Sequence, residues 1–225
     1  MDEQHSPLFS VIIATYNRSW AIERAIESVF AQTERSWELI IVDDGSTDDT
    51  LVRIQPYALA AQNVYVVVQA NHGTGAARAT GIRLARGEFI TFLDSDDTYL
   101  PEHLAVRKQY IADYPTCDFF HGGVIVIGDR FVPDRFDPQR RIPIEECAVG
   151  GTFVIRRQVA LQLGFAPLRY ADDADFFDRA RRAGIEPVYV PVPTYCYNRT
   201  SPDSLCTQLA LSAYKTSSTS PSTYQ

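Results

Sequence analysis

Apolar, β-branched runs of strand length alternate along this chain with longer segments of helical periodicity, the pattern of a parallel sheet covered by helices. The first run, residues 10–14, reads Ser-Val-Ile-Ile-Ala. Ile22, Ala25, Ile26, Val29 and Phe30 then recur at three- and four-residue spacing, which sets them on one face of a helix. The same alternation predicts a strand at 38–42, a helix from near Asp48, a strand at 63–69, an alanine-rich helix at 75–85 and a central strand at 89–93. Past Pro101 it predicts a helix of about 14 residues, strands at 118–122 and 124–127, and a polar, Pro- and Arg-containing loop over 129–143, expected to be mobile. A strand at 152–156, helices near 158–163 and 173–183, and a strand-like stretch at 187–192 follow. From Lys215 the chain is a Ser/Thr-rich tail with too few apolar residues to offset the entropy of ordering.

Composition narrows the class. With 225 residues, 45% hydrophobic and 22% charged, the chain has the make-up of an ordinary globular protein with room for one sizeable core. A formal net charge of -7 argues against a general nucleic-acid binder, which needs a basic face to displace counterions, so phosphate contacts must be local. Cys117, Cys147, Cys196 and Cys206 show neither CxxC pairing nor zinc-type spacing, and buried free thiols in a reducing cytosol are expected, with disulfides left open by the even count. The first residues carry neither the basic region nor the apolar run of a signal peptide, and no run approaches the ~20 apolar residues of a spanning helix. The expectation is a cytoplasmic protein, with peripheral contact at the cytoplasmic face of a membrane left open.

The chemistry-bearing residues fall at strand ends. Strands one, two and four are followed by Thr15-Tyr16, Asp43-Asp44 and Asp94-Ser95-Asp96, and ligands in open α/β sheets collect at the carboxyl ends of strands. Asp94, Asp96 and Asp97 place three carboxylates in four residues. Such packing raises proton affinity unless a cation shares the site, so it points to Mg²⁺ or Mn²⁺ completed by phosphate oxygens. A solvated turn capping the next helix accounts for the same residues. Asp44 before Gly45-Ser46 suits a ligand edge or a plain Asx-turn; Tyr16 suits a base or the core. Arg18 and Arg78 carry forks that match a diphosphate. In Asp172-Asp173-Ala174-Asp175, clustered acids have the raised proton affinity a general base needs, and also complement a helix N-terminus.

Taken in order, these segments resemble the family 2 glycosyltransferases, whose fold is GT-A: a mostly parallel sheet flanked by helices. The matching elements are 10–18, 37–48, Asn71-His72-Gly73 through Arg78, Gly87-Glu88-Phe89-Ile90, Asp94-Ser95-Asp96 (DxD), Gly150-Gly151-Thr152 and Asp172-Asp173-Ala174-Asp175. The resemblance implies an N-terminal extension at 1–8, one catalytic domain at 9–205 with a nucleotide-sugar half (9–100) and an acceptor half (101–205), and a tail at 206–225. It implies a nucleotide-sugar site of Ala14, Tyr16, Asp44, Arg78, Asp94 and Ser95, with Asp44 facing a pyrimidine, Tyr16 against the base and Asp96 on a Mn²⁺ or Mg²⁺ ion. Asp173 takes the place of the catalytic base. The implied reaction moves a sugar, with inversion, from a nucleoside-diphosphate sugar, UDP favoured, to a hydroxyl of a glycan or lipid-linked acceptor. Two departures stand out: the stretch Tyr197 to Ser204 lacks the family's histidine, and Ala79 replaces an asparagine. A nucleotide-sugar binding module without transfer, and a sugar-nucleotide pyrophosphorylase whose phosphate loop is missing here, are the alternatives.

Overall fold

The computed structural model describes residues 6–168, 170–201 and 206–208. The start of the expected N-terminal extension and the low-complexity tail lie outside them. Its elements are β1 (Phe9–Thr15), α1 (Ile22–Phe30), β2 (Trp37–Asp43), α2 (Thr50–Ala60), β3 (Val64–Val68), α3 (Thr74–Leu84), β4 (Phe89–Phe92), β5 (Thr98–Tyr99), α4 (His103–Asp113), β6 (Phe119–His121), β7 (Val124–Gly128), β8 (Phe131–Pro133), β9 (Arg141–Pro143), β10 (Val154–Arg156), α5 (Arg157–Leu163), α6 (Asp172–Arg182), β11 (Val188–Tyr189) and β12 (Tyr195–Arg199). They fall into two compact units, one within Met1–Ile125 and Ala148–Tyr197, the other within Val126–Cys147 and Asn198–Gln225.

The first unit is built on a seven-stranded sheet in the order β11-β6-β10-β4-β1-β2-β3. β1 pairs in parallel with β2 (Phe9 beside Trp37 through Thr15 beside Asp43) and with β4, and β2 pairs in parallel with β3. β10 alone runs antiparallel, between β4 and β6. Successive side chains of a strand point to opposite faces, so the near-continuous apolar runs feed two cores. Val11, Ile13, Leu39 and Ile41 pack with Ile22, Ala25, Ile26 and Val29 of α1, Ile54 of α2 and Leu104 of α4. Ile12, Ile40 and Val42 pack on the other face with Ala77 and Ile82 of α3, Val159 and Ala160 of α5, and Phe176 and Ala180 of α6. Strands buried on both faces read as unbroken apolar runs rather than alternation, which is why the parallel part of the sheet was visible in the sequence.

The structure departs from expectation where elements are short. β5 and β12 pair antiparallel, Tyr195 beside Tyr99 and Cys196 beside Thr98, and neither strand has an apolar run to announce it. In the second unit, the expected mobile loop at 129–143 is an antiparallel hairpin, with Phe131, Val132 and Pro133 of β8 opposite Pro143, Ile142 and Arg141 of β9. Buried Val132 and half-buried Ile142 hold it, and Arg141 also pairs with Asp129 across its base. The helix after Pro101 is 11 residues long. All four cysteines are free thiols, but only Cys196 is buried; Cys117, Cys147 and Cys206 are half-buried.

Candidate active site

The carboxyl ends of β1 and β2 are stitched together by polar side chains. Asn17, at φ 50, occupies the left-handed region that asparagine tolerates better than most residues. Its Oδ1 accepts from Thr47 N at 2.8 Å while its own N–H donates to Ser46 Oγ at 2.9 Å. Arg18 N donates to Thr50 Oγ1 at 2.8 Å. Tyr16, just past β1, is 43% exposed, which rules out the core alternative. Ala14 lies half-buried two residues before it.

Asp44 is buried, and its carboxylate accepts from Gln69 Nε2 (2.7 Å), His72 N (3.1 Å) and Gly73 N (2.7 Å). It therefore fixes the 69–73 loop that leads into α3, and its remaining acceptor capacity is small. Gly45 sits at φ 80, where an added Cβ would also meet the Gln69 and Asn71 backbone at 3.1 Å. His72 itself is an exposed loop residue.

The second group of residues forms a charge cluster. Arg78 on α3 is buried, with NH2 on Asp94 Oδ1 at 2.7 Å and NH1 on Asp172 Oδ2 at 2.8 Å. Expected at a diphosphate, it is in the structure a clamp between β4 and α6, 16 and 94 residues away in sequence. Its guanidinium also lies 5.8 Å from the Phe92 ring and 5.3 Å from that of Phe165. Burial alone would push its pKa down, but Asp172, Asp94 and Asp173 around it outweigh that and drive it up.

Asp173 Oδ2 accepts from Gly150 N at 3.0 Å, and Oδ1 from Ala174 N at 2.8 Å. Part of the residue stays open to solvent, yet the atoms around its carboxyl are dense. That burial, with the neighbouring Asp172 charge added, pushes its pKa up to about 6 against the opposing pull of Arg78. Gly150 has to be glycine: a Cβ there would lie 2.8 Å from Asp173 Cβ. Ala171, at φ 55, turns the chain into α6 so that Asp172 and Asp173 open the helix side by side.

At the end of β4, Asp94 has 35% of its side chain exposed, Ser95 is buried and Asp96 is half-buried. Among the described residues, no three His, Cys, Asp or Glu side chains form a closed metal cage. Two oxygen donors flanking a buried serine, beside an excess of negative charge, do fit a hard divalent ion that keeps several positions for ligand oxygens. Asp97, read from sequence as a helix cap, is buried and instead accepts from Tyr195 Oη at 2.5 Å. Tyr195 is the site residue that sequence pattern missed: Tyr195-Cys196-Tyr197 has no apolar alternation to mark a strand. Arg199, in the second unit, is buried, with Nη2 3.4 Å from Phe131 O.

A family model described as Glycosyl transferase family 2 matches residues 10–163. A curated relative, the putative teichuronic acid biosynthesis glycosyltransferase TuaG of Bacillus subtilis, is 34% identical over 131 residues, covering 58% of this chain and 52% of the relative. Several other relatives are longer, and the chain spans less than a third of them. The crystal structure of S. aureus TarS 1-349 in complex with UDP superposes with a TM-score of 0.72 at 26% identity, covering 86% of this chain and 61% of that one. A Pyrobaculum calidifontis mannosyltransferase in complex with GDP-Man and Mn²⁺ superposes with a TM-score of 0.68 at 22% identity, covering 90% of this chain and 59% of that one. The fold is thus the GT-A type expected from the sequence. Among the described residues no helix is long and apolar enough to cross a membrane.

Proposed function

The chain belongs to glycosyl transferase family 2, and from that premise we propose that it transfers a sugar, with inversion, from a nucleoside-diphosphate sugar to an acceptor hydroxyl. The observation that carries this reading is the cluster in which Asp94 and Asp172 hold the guanidinium of Arg78 and Asp173 lies beside them on Gly150 N, where burial and the Asp172 charge push its pKa up to about 6. A group with that pKa is ionised at neutral pH and still basic enough to take a proton in the transition state. Asp173 removes the proton of the acceptor hydroxyl as its oxygen bonds to the anomeric carbon, and the bond from that carbon to the diphosphate oxygen breaks on the opposite face. One displacement inverts the configuration.

Tyr16 offers its exposed side chain to the base, Asp44 its remaining lone pair to the base edge, and Asp94 and Ser95 line the ribose and diphosphate side. Asp96 would hold a Mn²⁺ or Mg²⁺ ion, which supplies positive charge to the departing diphosphate. The favoured donor is a UDP-sugar, supported by the UDP bound to the TarS relative. The acceptor is a hydroxyl of a glycan or lipid-linked saccharide in polysaccharide or glycolipid synthesis, and the setting is the cytoplasm or the cytoplasmic face of a membrane.

Calorimetric titration tests the donor side. UDP should bind in the presence of Mn²⁺, and its affinity should fall by about tenfold or more, roughly 1.4 kcal/mol, when Mn²⁺ is withheld or Asp96→Ala is introduced. Equal affinity in all three cases overturns the metal assignment. Failure of UDP, GDP, dTDP and CDP alike to bind overturns the function.

A further inference from the structure

Tyr195 has no part in the transfer chemistry just described, yet its side chain touches both halves of the site. It is buried, and its hydroxyl donates to Asp97 Oδ2 at 2.5 Å and lies 3.4 Å from Asp94 N, which points at it. Both partners belong to the turn that ends β4, closed on itself by Asp97 N donating to Asp94 O at 3.0 Å. On its other side, the Tyr195 ring fills the space where Gly151 would carry a side chain: an added Cβ would lie 2.1 Å from the ring Cζ. The neighbouring Gly150 N–H is the one that holds Asp173 Oδ2.

Tyr195 is itself held rigidly. Its N–H donates to Gly123 O at 3.2 Å, and Thr194 N donates to the same carbonyl at 2.9 Å. Arg107, also buried, donates from NH2 to Gly122 O at 2.6 Å, and Gly122 N donates to Thr152 Oγ1 at 3.0 Å, on the residue after Gly151. Gly122 and Gly123 take φ 98 and 76, a pair of left-handed residues that bends the chain between these two anchors. Tyr99 of β5 packs edge-on against the ring at 5.8 Å.

We propose that Tyr195 is a positioning residue that locks the Asp94–Asp97 turn to the Gly150–Thr152 turn, so that the donor-binding carboxylates and the base are set as one body. The roles of the two turns rest on the transferase reading; the mechanical link between them does not. A side chain that spans both, with one bond to a buried carboxylate and the Cζ–Oη end of its ring against a glycine, transmits a shift of either turn to the other because neither contact has slack.

Hydrogen exchange of the ligand-free protein tests the link directly. Tyr195→Phe keeps the ring against Gly151 and deletes the hydroxyl, so the Asp97 amide and the Thr152 amide, which donates to Val149 O at 2.9 Å, should both exchange about tenfold faster. Asp97→Asn weakens the same bond from the other partner and should also speed exchange at Thr152, which answers the question if Tyr195→Phe fails to fold. Faster exchange confined to the Asp97 turn, or to β5 and β12, overturns the proposal. In the presence of Mn²⁺, Tyr195→Phe should bind UDP about tenfold more weakly and keep the acid limb of turnover near pH 6. Unchanged UDP affinity in a variant with loosened turns would separate the link from donor binding and overturn its positioning role. Because exchange is read without ligand, a parent that binds no nucleoside diphosphate would end the transferase reading while the exchange result still decides the link.

Discussion

The two ends of the central sheet carry buried carboxylates of opposite character. At the amino ends of the strands, Glu38 is buried and accepts from Ser10 Oγ at 2.6 Å, Arg86 N at 2.6 Å and Arg86 Nε at 2.9 Å. One acid meets one base and every oxygen has a donor, with Ser10 Oγ accepting in turn from Gly87 N at 2.8 Å. At the carboxyl ends three carboxylates share the single guanidinium of Arg78, and one of them titrates near 6. The amino end is a closed structural joint. The carboxyl end keeps an excess of negative charge that burial makes expensive and that only a proton or a cation can relieve. An unbalanced site of this kind is suited to chemistry, and the contrast can be tested from both sides.

The largest effect should come from removing the excess charge. Asp173→Asn keeps shape and can still accept from Gly150 N, but it cannot take a proton from a hydroxyl, so turnover should fall by about 10²-fold or more. In the parent, the base works only when ionised, so kcat/KM should fall about tenfold per pH unit below pH 6. Stability should move the other way. The folded-state pKa of Asp173, about 6, lies above its ordinary value of 3.8, so the folded protein binds this proton more tightly than the unfolded chain. The stability that this gives is present below about pH 4 and lost as pH rises through 6. Asp173→Asn sets an amide donor against Gly150 N or Ala174 N at every pH, so its stability relative to the parent should rise from pH 4 to pH 7.5. A relative stability that does not change with pH, in an inactive variant, would assign Asp173 to structure.

Removing the one compensating cation is the next largest change. Arg78→Met fits the apolar slot between Phe92 and Phe165 but leaves Asp94 and Asp172 without their partner. Breaking a buried pair from one side costs about 3 to 5 kcal/mol, measurable by urea unfolding. Arg78 now holds the Asp173 pKa down against burial and Asp172, so in any folded Arg78→Met protein the acid limb should move above pH 6. A cost under about 1 kcal/mol would show that the Arg78 clamp does not hold these carboxylates in the fold.

Much of this contrast was legible in sequence, and for physical reasons. Strands buried on both faces need unbroken apolar residues, so β1, β2 and β4 stood out, and charged residues directly after such runs mark the strand ends where ligands gather. Asp94, Asp96 and Asp173 were singled out as candidates that way or through the family resemblance. Pairing between distant residues was not legible. Arg78 reads as a fork for any anion, and nothing local says that its anions are Asp94 and Asp172. Asp97 looks like part of an Asp-rich turn until Tyr195, 98 residues later, is brought to it by a strand too short and too polar to announce itself. Likewise the 129–143 hairpin is held by Val132, Ile142 and ion pairs across strands of three residues each, too short for any period to show.

The smallest effect should come from the balanced end, and it serves as the control. Glu38→Gln turns one oxygen into an amide donor that faces Arg86, losing a charge-assisted hydrogen bond and costing roughly 2 kcal/mol. Arg86 is about half exposed and regains water, which keeps the loss below that of Arg78→Met, where Asp172 is stranded in a buried position. Ser10 and Thr15 lie five steps apart along β1, roughly 17 Å at the rise of a parallel strand, about twice the Debye length at physiological salt. UDP affinity with Mn²⁺ and the pH of the acid limb should therefore match the parent within about twofold, or ~0.4 kcal/mol, although the protein unfolds at lower urea. A shift in either would show that the two ends are coupled through the sheet, and the separation of a structural joint from a reactive one would fail.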